Sequence, residues 1–286
     1  MDHCGDNVSI DKHGKFFFDR LKPSIETTQQ FRRCGRELIN LIADYHDNIR
    51  DYPAVPDVKP GYMRHLLPQE APQQPESWES LKDDIHKVIF PGLTHWHSPR
   101  FHAYYPTANS YPAILGGMLG DAIGCVGFTW MANPACTELE MITMDWLVKM
   151  TGLPNHFLHT SPGNGGGVIQ GSASESALVA LLASKSRKLK EVGKQSSDQK
   201  LVAYFSKQAH SCIERAALLG HMTMRVIDTD DSYSMRGDAL RECVEKDKSR
   251  GLIPCYIGAS FGTTSVCSFD NIRELGMYSM LTLISL

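Results

Sequence analysis

The chain is 286 residues long, with 42% hydrophobic and 21% charged residues; this suits one large α/β domain or two small ones and excludes a fibrous repeat or a chain disordered throughout. Lysine and arginine number 29 against 32 aspartates and glutamates, a formal charge of -3. No general attraction to nucleic acid or to an anionic membrane follows, so any anionic ligand has to be held by local groups.

The first residues, Met-Asp-His-Cys-Gly-Asp, lack the basic and apolar segments of a signal peptide, and no apolar run is long enough for a membrane span. Residues 1–25 mix charge with aromatics without a period, the pattern of a poorly ordered extension. Phe31, Cys34, Leu38, Ile42, Tyr45 and Ile49 then recur at three- and four-residue steps, which predicts a long amphipathic helix. Pro53, Pro56, Pro60, Pro68, Pro72 and Pro75 impose an extended connector. A second, short helix has Trp78, Leu81, Ile85 and Val88 on one face and stops at Pro91-Gly92. Residues 26–92 therefore read as a helical arm whose apolar faces need another surface, which we expect a second subunit to supply.

From His95 to Tyr111 the chain is dense in aromatics and hydroxyls and follows neither a helical nor a strand period. This is a loop, either carrying binding residues or packed for structure. Asn133 as N-cap, Pro134 in the first turn, and Leu139, Ile142, Trp146 and Met150 on one face predict a core-packing helix ended by Gly152-Leu153-Pro154. Beyond Gly167 helices and strands alternate: helix 174–188, strand 201–205, helix 211–219, strand 224–227, helix 238–249 and strand 252–259. That alternation predicts a parallel sheet with right-handed crossovers. Sites in such sheets lie at the carboxyl ends of the strands, here Phe205 to His210 and Ser260 to Thr264.

The eight cysteines are dispersed, with no CxxC pair, which fits reduced thiols and a cytoplasmic protein. His95 and His97 are two residues apart with no third donor nearby, so no metal site is expected. The strongest local signal is the stretch from Gly163 to Glu175, glycine-rich and running directly into an apolar helix. A helix start offers free N–H groups and the positive end of the dipole, so the N–H groups of Ala173 and Ser174, with the Ser174 hydroxyl, suit a phosphate. The alternative is a simple capping turn. No Gly-Lys-Ser/Thr follows, which excludes a Walker loop, and Val168 stands where a dinucleotide fingerprint needs its third glycine. His210, just past a predicted strand, is placed either to face a ligand or to cap the following helix.

Together these segments bring the chain from Phe31 to Gly276 into resemblance with the pyridoxal-phosphate-dependent group II amino acid decarboxylases, and within them the aromatic L-amino acid (DOPA) decarboxylases. The matching stretches are 94–99 (Thr-His-Trp-His-Ser-Pro), 105–112 (Tyr-Pro-Thr-Ala-Asn-Ser-Tyr-Pro), 134–140, 165–175, 208–211 (Gln-Ala-His-Ser), 262–264 (Gly-Thr-Thr) and 268–271 (Ser-Phe-Asp-Asn). The resemblance implies a type I, aspartate aminotransferase-like α/β large domain over 93–276, a homodimer with sites at its interface, and loss of carbon dioxide from an aromatic amino acid bound to pyridoxal 5'-phosphate. By motif, Ala173 and Ser174 would bind the cofactor phosphate, Thr264 would contact the cofactor, His210 would stack on its ring, and Thr107 would contact substrate. Histidine decarboxylases share a similar stretch at 152–159, which keeps histidine as the alternative substrate. A branch of the family that forms aldehydes has asparagine where His210 stands, so this histidine points to plain decarboxylation.

The family's later essentials have no counterpart in these residues: the strand aspartate for the pyridine nitrogen, the His-Lys-Trp lysine that joins the cofactor, the mobile tyrosine loop and the C-terminal domain. The resemblance therefore implies a C-terminally truncated chain, with 277–286 an apolar tail outside the family pattern, and no decarboxylation by these residues alone. The competing reading is a non-catalytic isoform that serves as a dimer partner.

Overall fold

A computed structural model describes residues 27–105, 109–163, 165–193 and 200–276, together with the backbone of 8–10 and 16–18. The tail 277–286 lies outside the described residues. The chain forms two compact units, divided between Ala108 and Asn109.

In the first unit, two short strands, β1 (Val8–Ile10) and β2 (Phe16–Phe18), pair antiparallel within the segment read as a poorly ordered extension. Helix α1 (Thr28–Asp47) begins with a capping box: Gln30 N–H donates to Thr27 Oγ1 at 3.1 Å, and Thr27 N–H donates to Gln30 Oε1 at 2.9 Å. Helix α2 (Trp78–Asp84) runs into a π-turn at Ile85–Ile89 and a 3₁₀ turn at Phe90–Gly92, where Pro91 stops it. Polar contacts join the two helices. Glu37 accepts from Trp78 Nε1 at 2.9 Å and Lys82 Nζ at 3.0 Å, and Arg33 pairs with Glu79 at 3.0 Å. Cys34 and Val88 are buried, whereas Phe31, placed on the apolar stripe by its spacing, is exposed.

The unit extends through the first part of the 95–111 loop. His95 is 1% exposed, its backbone N–H donates to Ala54 O at 3.1 Å, and its Nδ1 bonds the Tyr45 hydroxyl at 2.8 Å. Tyr52 and Phe90 complete an aromatic cluster around Tyr45. Between the two readings of this loop, the His95 portion is packed for structure, and burial lowers the His95 pKa.

The second unit opens with α3 (Tyr111–Ile123), a helix the sequence pattern does not announce because it is apolar nearly all round. Its start and stop signals are local: at the N-cap Ser110 Oγ accepts from Ala113 N–H, and Gly124 ends it at φ 65°, a left-handed conformation suited to glycine. Helix α4 (Pro134–Met150) begins as expected, with Asn133 Oδ1 accepting from Cys136 N–H at 3.0 Å. Its expected core face is overturned. Leu139, Trp146 and Met150 are 60%, 57% and 83% exposed, while Asp145 and Val148 are the buried positions. The described residues of this unit put no layer over the apolar stripe; the opposite side of α4 receives the 157–169 segment instead.

The remaining elements follow the predicted alternation: α5 (Ala173–Val192), β3 (Leu201–Ser206), α6 (Ser211–Leu219), β4 (Thr223–Ile227), α7 (Gly237–Ser249), β5 (Ile253–Gly258) and α8 (Ile272–Gly276). The strands form a parallel sheet of order β4-β3-β5. Central β3 is buried along its length. Alternation sends Leu201, Ala203 and Phe205 into an apolar cluster with α5 and α6, and Val202 and Tyr204 into one with α7. Pro254 falls at a register shift opposite Val202, where the ladder tolerates a residue without N–H. No helix among the described residues is long and apolar enough to cross a membrane.

Candidate functional site

Helix α5 leads into β3, and in its later turns Lys185 Nζ donates at 2.8 Å to Gly220 O, shortly before β4 starts, so the N-terminus of α5 lies toward the carboxyl end of the sheet. Ser172 is the N-cap, its Oγ accepting from Glu175 N–H at 3.2 Å and its carbonyl from Ser176 N–H at 3.0 Å. Ala173 and Ser174 keep their N–H groups without a partner among the described residues, as does the half-buried Ser174 hydroxyl. A helix of five turns thus presents two aligned donors, a hydroxyl and the positive dipole end at one point, a seat for a dianion.

The glycines before it make close packing possible. A Cβ on Gly165 would strike the carbonyls of His156 and Leu158, one on Gly166 would lie 2.7 Å from the His159 ring, and one on Gly167 would lie 2.5 Å from Met144 Cε. They let this strap lie against α4 and the 156–159 turn.

His210 is both exposed and the N-cap of α6, its Nδ1 accepting from Cys212 N–H at 3.2 Å. The capping alternative is therefore realised, and it fixes the ring at the end of β3. Thr264 follows β5 in a tight loop. Its neighbour Thr263 is buried and occupied, bonding Ser268 through both hydroxyls at 2.9 Å and accepting from Ser268 N–H at 3.0 Å, whereas Thr264 is half-buried with no polar partner among the described residues. Ala173, Ser174, His210 and Thr264 thus share one end of the sheet. Thr107, the expected substrate contact, lies outside the described residues.

One organising residue escaped the sequence reading. Asp270 is 2% exposed and accepts from Ser260 N–H at 2.7 Å, from Met235 N–H at 2.8 Å and from the Ser206 hydroxyl. It joins the carboxyl end of β3 to the loops after β4 and β5. Burial raises its pKa, although each hydrogen bond pulls the other way. The motif 268–271 contains it, but only the sheet order shows what it holds. Among the described residues no three potential ligands group as a metal site.

Residues 60–280 match the family model for the pyridoxal-dependent decarboxylase conserved domain. The chain is 54% identical over 256 residues to aromatic-L-amino-acid decarboxylase of Mus musculus, covering 87% of this chain and 53% of that protein. It is 49% identical over 256 residues to histidine decarboxylase of Homo sapiens, covering 87% and 39%. Among solved structures, Catharanthus roseus tryptophan decarboxylase in complex with L-tryptophan is similar at a TM-score of 0.84 and 38% identity, over 92% of this chain and 56% of that one. The chain spans about half the length of the curated relatives it matches.

Proposed function

Because the chain belongs to the pyridoxal-dependent decarboxylase family, with the α/β architecture of its type I large domain, we propose that the whole protein decarboxylates an aromatic L-amino acid. The observation that supports this most is the seat at the start of α5: two N–H groups and a hydroxyl without a partner among the described residues, at the carboxyl end of β3 with His210 and Thr264. These residues fit pyridoxal phosphate. Its phosphate is a dianion suited to that helix end, and its ring is a planar partner for a fixed imidazole.

Bound pyridoxal phosphate supplies the electron sink that accepts the pair left behind when the carboxylate departs as carbon dioxide. The protein's share is orientation. Ala173 and Ser174 would hold the phosphate by charge-assisted hydrogen bonds, and His210 would be the catalytic residue against the ring. Its Nδ1 is committed to Cys212, so the ring cannot swing away without uncapping α6. Thr264 would contact the cofactor from the loop that Asp270 braces, and by its motif Thr107 would contact the substrate.

The aromatic substrate is favoured over histidine by the 105–112 stretch and by the higher identity to the aromatic enzyme. We place the reaction in the cytoplasm and in a homodimer; the exposed apolar stripe of α4 supports a further surface covering this unit. The test is carbon dioxide release by the whole protein from DOPA, tyrosine, 5-hydroxytryptophan and histidine, with Ser174→Ala assayed for cofactor affinity. Loss of one charge-assisted bond predicts about tenfold weaker cofactor binding. Faster turnover of histidine than of every aromatic substrate refutes the substrate, and unchanged affinity in Ser174→Ala refutes the seat.

A further inference from the structure

We propose that His159 is a positioning residue: with Asp145 it ties the glycine strap 165–169 to α4 and so sets where the chain turns into the phosphate seat of α5. The inference rests on the seat assigned above. Asp145, 8% exposed on the inner side of α4, accepts from His159 N–H at 2.7 Å and bonds His159 Nδ1 at 3.3 Å and the Thr160 hydroxyl at 3.4 Å. An ionised carboxylate only accepts, so Nδ1 is the donor in this pair, and the lone pair of Nε2 is what the strap's N–H meets. Gly167 N–H points at that nitrogen at 3.4 Å. The imidazole therefore relays the buried carboxylate of α4 to the backbone of the strap.

Neighbouring contacts give the tie its register. Gly166 N–H donates to Phe157 O at 2.8 Å, and Ile169 N–H donates to Glu140 Oε1 at 2.8 Å. Gly166 has φ 137° and no room for a Cβ beside the His159 ring. Glu140, Met144 and Asp145 thus hold the strap along one side of α4, and Ser172 starts α5 a few residues further on. Of these contacts, the His159 imidazole alone bonds both α4 and the strap through its ring. A donor pair at a helix start is useful only if the chain delivers it to a fixed place, and this tie is what fixes it.

The experiment compares His159→Phe, which keeps a planar ring without nitrogens, His159→Gln, whose amide oxygen reaches the Nε2 position, and Ser174→Ala, all in the full chain. Two readouts are taken: amide hydrogen exchange of 165–169 without added ligand, and pyridoxal phosphate affinity by absorbance titration. His159→Phe is expected to speed exchange of the strap about tenfold, leave exchange in α7 unchanged, and weaken affinity about three- to tenfold, the scale of one lost hydrogen bond. His159→Gln should recover most of the protection, and Ser174→Ala should weaken affinity with strap exchange unchanged. Unaltered strap exchange in His159→Phe overturns the tie. Faster exchange with wild-type affinity, while Ser174→Ala loses affinity, overturns the positioning role. If Ser174→Ala binds normally, the seat is wrong and the positioning role falls with it, while strap exchange still decides the tie. Should His159→Phe fail to fold, Asp145→Asn reads the same tie, and unchanged strap exchange in it overturns the proposal.

Discussion

Replacing Asp270 by alanine removes one acceptor from three donors at once: the N–H groups of Ser260 and Met235 and the hydroxyl of Ser206. Each donor left unsatisfied in a buried place costs about 1–3 kcal/mol, and water entering the vacated volume recovers part of that. The expected loss is about 3–6 kcal/mol, a large share of the ~5–15 kcal/mol that stabilises an ordinary domain. Asp270→Asn keeps one carbonyl oxygen but sets its NH₂ against the other N–H, so its loss should fall between wild type and alanine, about 2–3 kcal/mol. Urea unfolding followed by far-ultraviolet circular dichroism measures both, with slopes compared so that midpoint shifts read as stability. The pH arm has a definite sign. Burial raises the carboxyl's folded pKa above its ordinary value, so the folded chain binds more protons between the unfolded and folded values. Stability from this group is complete below the ordinary carboxylate range and falls as pH rises through the folded value, and Asp270→Asn removes that slope. An alanine variant within about 1 kcal/mol of wild type at unchanged slope would refute the bracing role.

Two further outcomes are expected. Asn133→Ala frees the Cys136 N–H that Asn133 caps, and should cost about 1 kcal/mol in the same unfolding assay, with no change meaning that α4 does not depend on this cap. Glu274, hydrogen-bonded by Arg236 and by Gly237 N–H, has its pKa lowered from 4.5 to about 2. Its stabilising contribution is present above the ordinary value and is lost as pH falls through about 2. Arg236→Gln should flatten part of that acid limb, and identical acid limbs in variant and wild type would contradict the pairing.

Much of the second unit is legible in one dimension because its determinants are local. The helix over 211–219 is observed as Ser211–Leu219, and Asn133-Pro134 starts α4 where the cap and the preset proline φ require. The apolar runs at 201–205 and 224–227, separated by amphipathic helices, announce a parallel sheet before any partner strand is known. Helix α3 is not legible in this way, since an all-round apolar segment with interior glycines has no period to read.

The sequence by itself determined the long amphipathic and alternating elements, the Asn133 cap and the glycine-rich start of α5, since each is decided within a turn or two of chain. Only the tertiary structure decided what those elements face. Periodicity marks Leu139, Trp146 and Met150 as one stripe of α4, yet whether it is covered depends on layers that periodicity does not describe, and the described residues leave it open. In sequence the glycines at 165–167 are only a small-residue run into a helix; the fold puts Met144, His156, Leu158 and His159 where their Cβ atoms would be. Asp270 lies far along the chain from Ser206 and Met235, and it became their common acceptor because β3 took the centre of the sheet. The order β4-β3-β5 brought the strand end and both loops to the same carboxylate.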